Sequence, residues 1–174
     1  MKALLLALLL ISQPPKFLIS GGIGITGYDY TSDEVNHSTY GIAFRVFFDY
    51  WIKDYLAFGV DSGYQSFKEK WSVMEDNSFF MPYAKIGTSV SDKTQLFLLI
   101  GYGFDWLVWR EGDDHQDYKH SAFNFGAGFM RNFGNYLAGV VFNDIYVMNQ
   151  DTCMDGCMEN IHLSTFSVFF GFGK

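Results

Sequence analysis

Between Tyr40 and Tyr50 the chain reads Tyr-Gly-Ile-Ala-Phe-Arg-Val-Phe-Phe-Asp-Tyr, with Tyr40, Ile42, Phe44, Val46, Phe48 and Tyr50 on one parity. Gly41, Ala43, Arg45, Phe47 and Asp49 hold the other. A period of two predicts a β-strand, because successive side chains of a strand point to opposite faces. Ten steps of roughly 3.3 Å, tilted by about 40–45°, climb about 25 Å, the height of the apolar band on a transmembrane barrel. Tyrosines at both ends then meet the two water interfaces, where a ring faces lipid and a hydroxyl faces water. A soluble sandwich also alternates. The second parity separates the two cases: glycine, alanine and isolated charges suit the cramped interior of a narrow barrel, whereas a solvated face carries many lysines and glutamates.

The same bias runs through the 174 residues, of which 20% are aromatic and eighteen are glycine, a mixture that fits strands with aromatic girdles better than a helical bundle. No apolar run reaches the roughly 18 residues that a spanning helix needs, so entry into a membrane is expected through strands. Lys2 followed by the apolar run Ala3 to Ile11 reads as a secretory signal. A cut after Ser12 leaves residues 13–174 as one barrel domain, the alternative being an uncleaved anchor. The net charge of −7 argues against nucleic acid as a partner. No resident cofactor or metal is expected.

In order, alternation predicts strands at Lys16 to Tyr28, Tyr40 to Tyr50, Tyr55 to Gln65, Phe79 to Val90, Thr94 to Trp109, His120 to Met130, Tyr136 to Met148 and Ile161 to Phe172. Pro82 points to an edge or a bulge in the fourth. The seventh is apolar on both parities, which leaves its register open. Short turns at Lys53-Asp54, Ser91 to Lys93 and Arg131 to Asn135 alternate with four long polar segments. Those segments hold Asp29, Asp33, Glu34, Glu69, Glu75, Asp76, Glu111, Asp113, Asp114, Asp117, Asp151, Asp155 and Glu159, thirteen of the nineteen acidic residues, against Lys68, Lys70, Arg110 and Lys119.

A signal, eight alternating strands, alternating long and short connections and an aromatic last strand ending in Phe170 and Phe172 resemble the small eight-stranded outer-membrane proteins of the OmpA transmembrane-domain and OmpX type. The resemblance implies an all-β, antiparallel, up-and-down transmembrane barrel with short periplasmic turns and four longer external loops. It also implies residence in a Gram-negative outer membrane, insertion by the barrel-assembly machinery, contact with outer-membrane lipid and lipopolysaccharide, and a monomeric state.

Three groups of residues are candidates for function. Arg45, Asp49, Asp61, Lys85 and Asp105 lie on the inward parity with both signs present, and buried charges must pair, so an ion-pair network filling the lumen is expected over a gated ion path. Cys153 and Cys157 flank a three-residue loop, and an exported chain meets oxidising conditions, so a disulfide is expected rather than a metal site.

The third group is His162 and Ser164, on the outward parity of strand eight. If Tyr146 pairs with His162, Asp144 falls opposite Ser164, which offers nucleophile, base and orienting carboxylate. This trio is similar to the His-x-Ser site of the outer-membrane lipid A deacylase. The plain alternative is an interfacial histidine beside a serine of no consequence.

His37, His115 and His120 lie in or beside acidic segments and are expected as solvated loop residues, with weak divalent-cation binding by those segments as the alternative. Lys68, Lys70, Arg110 and Lys119 are placed to meet lipopolysaccharide phosphates. The leading expectation is a non-enzymatic outer-membrane barrel with a structural or adhesive role, its loops open to a host or surface ligand. The alternatives are the lipid A hydrolase and a soluble exported barrel holding an apolar ligand.

Overall fold

The computed structural model describes residues 16–31, 36–67, 74–91, 93–111, 114–148 and 160–173. The signal segment and both cysteines lie outside them. The described chain forms eight strands: β1 (Lys16–Thr31), β2 (Asn36–Lys53), β3 (Leu56–Phe67), β4 (Met74–Ser91), β5 (Thr94–Glu111), β6 (Asp114–Phe133), β7 (Tyr136–Met148) and β8 (Asn160–Gly173). Each pairs antiparallel with its neighbour in sequence, and β8 returns to β1 through pairs such as Ile25 with Phe166, closing the barrel. Closure removes the two edges that an open sheet would leave along the wall.

The apolar parity faces outward. Phe44 is 53% exposed, Phe58 50% and Leu98 64%, and they belong to a belt of isoleucines, leucines and aromatic rings around the whole wall. An apolar surface of this extent calls for hydrocarbon rather than water. This belt speaks against the soluble barrel holding an apolar ligand, whose outer wall would have to meet water.

Several strands run past the ends that alternation marks. Residues 110–119, expected as a loop, are mostly strand: Arg110 pairs with His115 and Glu111 with Asp114, so β5 and β6 form a hairpin projecting beyond the belt. Backbone groups pair whatever side chains they carry. Hydropathy therefore marks where hydrocarbon stops, and the ladder continues beyond it.

Pro82 sits neither at an edge nor at a bulge. Partners on β4 and β5 keep one register from Phe80 with Phe104 to Tyr83 with Gly101, and only the rungs at Met81 and Pro82 are missing. Proline lacks the donor those rungs need. At the turn end Gly134 takes a φ of 77°, which a side chain would strain, and lets β6 reverse into β7 through Gly134 and Asn135.

The lumen is filled in three layers. Toward the end bearing the long connections, Tyr28, Phe67, Phe79, Met81, Leu107, Ile145, Val147, Ile161 and Leu163 form one apolar cluster. Toward the turn end Leu18, Phe47, Trp51, Tyr83, Phe97, Leu99, Met130, Leu137, Val141 and Phe169 form another. A polar layer lies between. Glycine makes room for the rings, since a Cβ on Gly59 would lie 2.6 Å from Tyr83 and one on Gly63 2.5 Å from Phe79.

Candidate functional site

Alternation turns the polar residues of neighbouring strands onto a common interior, and the barrel register decides which of them touch. Arg45 on β2 pairs with Asp61 on β3, both fully buried, through Nη2 to Oδ2 and a second bond from Nε to Oδ1. Asp61 Oδ2 also accepts from Asn124 Nδ2 at 3.1 Å, and Asn124 Oδ1 accepts from Asn143 Nδ2 at 2.9 Å. A forked guanidinium on a buried carboxylate is the geometry in which the pair offsets its own desolvation.

Lys85 on β4 pairs with Asp49 at 2.7 Å, and the Tyr83 hydroxyl donates to the same carboxylate. The Lys85 ammonium also lies 4.7 Å from the centre of the Phe97 ring and 5.3 Å from that of Tyr83. A second chain of bonds crosses the lumen: Asn77 Nδ2 donates to Gln65 Oε1, Gln65 Nε2 to Thr165 Oγ1, and Thr165 Oγ1 to Thr26 Oγ1.

Asp105 departs from the expected network. It is completely buried on β5, yet it makes no ion pair among the described residues, and neither carboxylate oxygen has a hydrogen-bond partner. Two cations, Arg45 and Lys85, serve three inward carboxylates, and each carries close geometry to only one. Asn77 is the polar neighbour of Asp105, and its own Oδ1 is likewise unpartnered.

On the outer wall, β7 and β8 pair Tyr146 with His162 and Asp144 with Ser164. Ser164 Oγ donates to Asp144 Oδ1 at 3.2 Å, His162 Nδ1 lies 3.9 Å from Asp144 Oδ2, and the Tyr146 and His162 rings meet edge-on at 4.7 Å. The three residues come together, in an order different from a hydrolytic relay. In a relay the imidazole stands between hydroxyl and carboxylate, whereas here the carboxylate stands between hydroxyl and imidazole. His162 and Asp144 are each about half exposed, with side-chain exposures of 43% and 42%.

No protein-family model matches the sequence, and none of the curated proteins does. Solved structures do match in shape. Neisserial surface protein A superposes with a TM-score of 0.72 at 12% identity, over 92% of this chain and 99% of that one. The chain has the fold of the small eight-stranded outer-membrane β-barrels. Ail, the attachment invasion locus protein of Yersinia pestis, gives a TM-score of 0.59 at 14% identity, over 93% of this chain and all of that one. The outer membrane enzyme PagL gives 0.53 at 18%, covering 89% and 98%.

As a small outer-membrane-type barrel, the molecule carries its interior amides in places that alternation reached unevenly. Gln65 and Asn124 share their strands' parity with Gly63 and Gly126, the parity that alternation turns inward, so their place in the lumen was legible. Asn77 lies in a segment read as loop, and Asn143 in the strand whose register was open; no local signal placed either. His37, His115 and His120 prove to be strand residues. Lys68 and Lys70 fall outside the described residues.

Proposed function

We propose that the protein is an integral, non-enzymatic component of a Gram-negative outer membrane, exported by its N-terminal leader and inserted by the barrel-assembly machinery. It works through the surface of its loop end rather than through its lumen. The observation that carries this reading is the filled interior: among the described residues two apolar plugs enclose a layer of charges and amides that includes two ion pairs. Function then falls to the exposed connections, where a rigid scaffold ordinarily carries its binding residues.

Charge narrows the partner. Ail has been crystallised with the heparin analogue sucrose octasulfate. The loop end here bears thirteen acidic residues, which repel such a polyanion and favour a cationic surface partner. Full-length protein in detergent should bind polylysine in a salt-sensitive manner and ignore heparin; the reverse preference overturns this choice of partner. Recovery in the outer-membrane fraction, with altered gel migration when unheated, tests the location.

A second reading, hydrolysis of lipid A acyl esters, draws on the meeting of Ser164, Asp144 and His162 at the register expected from sequence. The bond from Ser164 to Asp144 speaks for a structural role. Mass spectrometry of lipid A from cells expressing the wild type and Ser164→Ala decides it, and identical acylation ends the hydrolase reading.

A further inference from the structure

One row of inward positions crosses five strands, reading Arg45, Gly63, Phe79, Asp105 and His120. The Phe79 ring leans over Gly63, where a Cβ would stand 2.5 Å from it, and its centre lies 5.1 Å from the Arg45 guanidinium. Asp105 is the next position in the row beyond Phe79. Arg45 turns the other way, to Asp61, and Lys85 is taken by Asp49.

Three buried acceptor oxygens are thereby left together. Both carboxylate oxygens of Asp105 and the Oδ1 of its neighbour Asn77 have no donor among the described residues, and both side chains are 0% exposed. The Asn77 amide nitrogen is committed to Gln65 Oε1 at 2.9 Å. The charged side chains buried in the described lumen are Arg45, Lys85, Asp49, Asp61 and Asp105, two positive and three acidic. A buried carboxylate needs a counterion. Water can donate to these oxygens but leaves the charge uncancelled, and a proton on one Asp105 oxygen would serve Asn77 Oδ1 while leaving the other carboxyl oxygen without a donor. A metal cation serves all three.

We infer that Asp105 and Asn77 hold a small monovalent cation of the Na+ class in the lumen, where no resident metal was expected from sequence. Its ligands are the two carboxylate oxygens and Asn77 Oδ1, hard donors that suit a hard cation. One positive charge balances the interior. A divalent ion would leave an excess of one, and Ca2+ also asks for about six to eight oxygens. The acidic residues of the loop end draw cations to that mouth, and His120, inward on the same row and part-exposed, marks where the row meets it.

The test uses the full chain in lipid vesicles and does not depend on where cells place it. Urea unfolding is followed in NaCl and in choline chloride at equal ionic strength, choline being too large for the site. Wild type should gain a saturating upward shift of its midpoint with Na+ that choline does not give. Asp105→Asn should be blind to the choice of cation: in choline it should unfold later than wild type, and Na+ should narrow that difference by stabilising wild type alone. Asn77→Leu, which removes one oxygen, should need about tenfold more Na+ for the same shift. Equal wild-type midpoints in the two salts overturn the proposal without any variant, as does an Na+ response that survives in Asp105→Asn. A larger Asp105-dependent shift with Ca2+ overturns the monovalent choice. The infrared carbonyl stretch of a protonated carboxylic acid, present in wild type at neutral pH in Na+ and lost in Asp105→Asn, would put a proton in the place of the metal and overturn it too.

Discussion

Asp61 and Asp105 are both aspartates buried in the lumen, and their surroundings give them opposite roles. Removing the Asp61 carboxylate strands the Arg45 guanidinium in a buried site, so Asp61→Ala should cost about 3–5 kcal/mol in urea unfolding from lipid vesicles. Arg45→Ala combined with Asp61→Ala should cost clearly less than the two single changes added together, because each single variant counts the stranded partner. Asp105→Asn should stabilise the fold by about 1–3 kcal/mol in the same assay, since it replaces a buried carboxyl that has no side-chain cation beside it with an amide. From sequence, both carboxylates were placed inside correctly. What sequence could not say was which of them a cation would reach, because reach depends on the stagger between β2, β3 and β5.

Among the elements, β4 is the one whose ladder is interrupted. Pro82→Val restores a donor at the missing rungs facing β5, and should stabilise the barrel by about 0.5–1.5 kcal/mol. It should also slow amide hydrogen exchange in the middle of β4 and β5; unchanged exchange there would mean the gap is closed in another way. The strands themselves were legible wherever a glycine or charge opposed a ring, as in β2. The apolar β7 was not, since a strand with apolar side chains such as Val140 and Val141 on both faces fits either orientation. Closure against β8 resolves it, turning Leu137, Val141, Ile145 and Val147 inward to build both plugs. The projecting β5–β6 hairpin escaped notice for a different reason, its residues being mostly polar along both strands while the two strands still pair with each other.

For the molecule as a whole, the bilayer acts as the outer half of the core. Ile100, 51% exposed and mid-strand on β5, faces hydrocarbon, so Ile100→Arg should cost about 2–4 kcal/mol of vesicle stability, whereas the same change at Arg131's neighbour Phe133, near the turn end, should cost less than about 1 kcal/mol. Vesicle unfolding midpoints of the two variants check this difference. Sequence by itself determined the architecture: a two-residue period is set by local backbone geometry, so the number of strands, the parity facing lipid in every strand but β7 and the side on which charges lie could be read without knowing any contact. The register belonged to the tertiary structure. Which buried charges found partners, which strands supplied the plugs, and how Ser164, Asp144 and His162 are ordered all depend on side chains far apart in the chain being brought level, and no local pattern encodes that stagger.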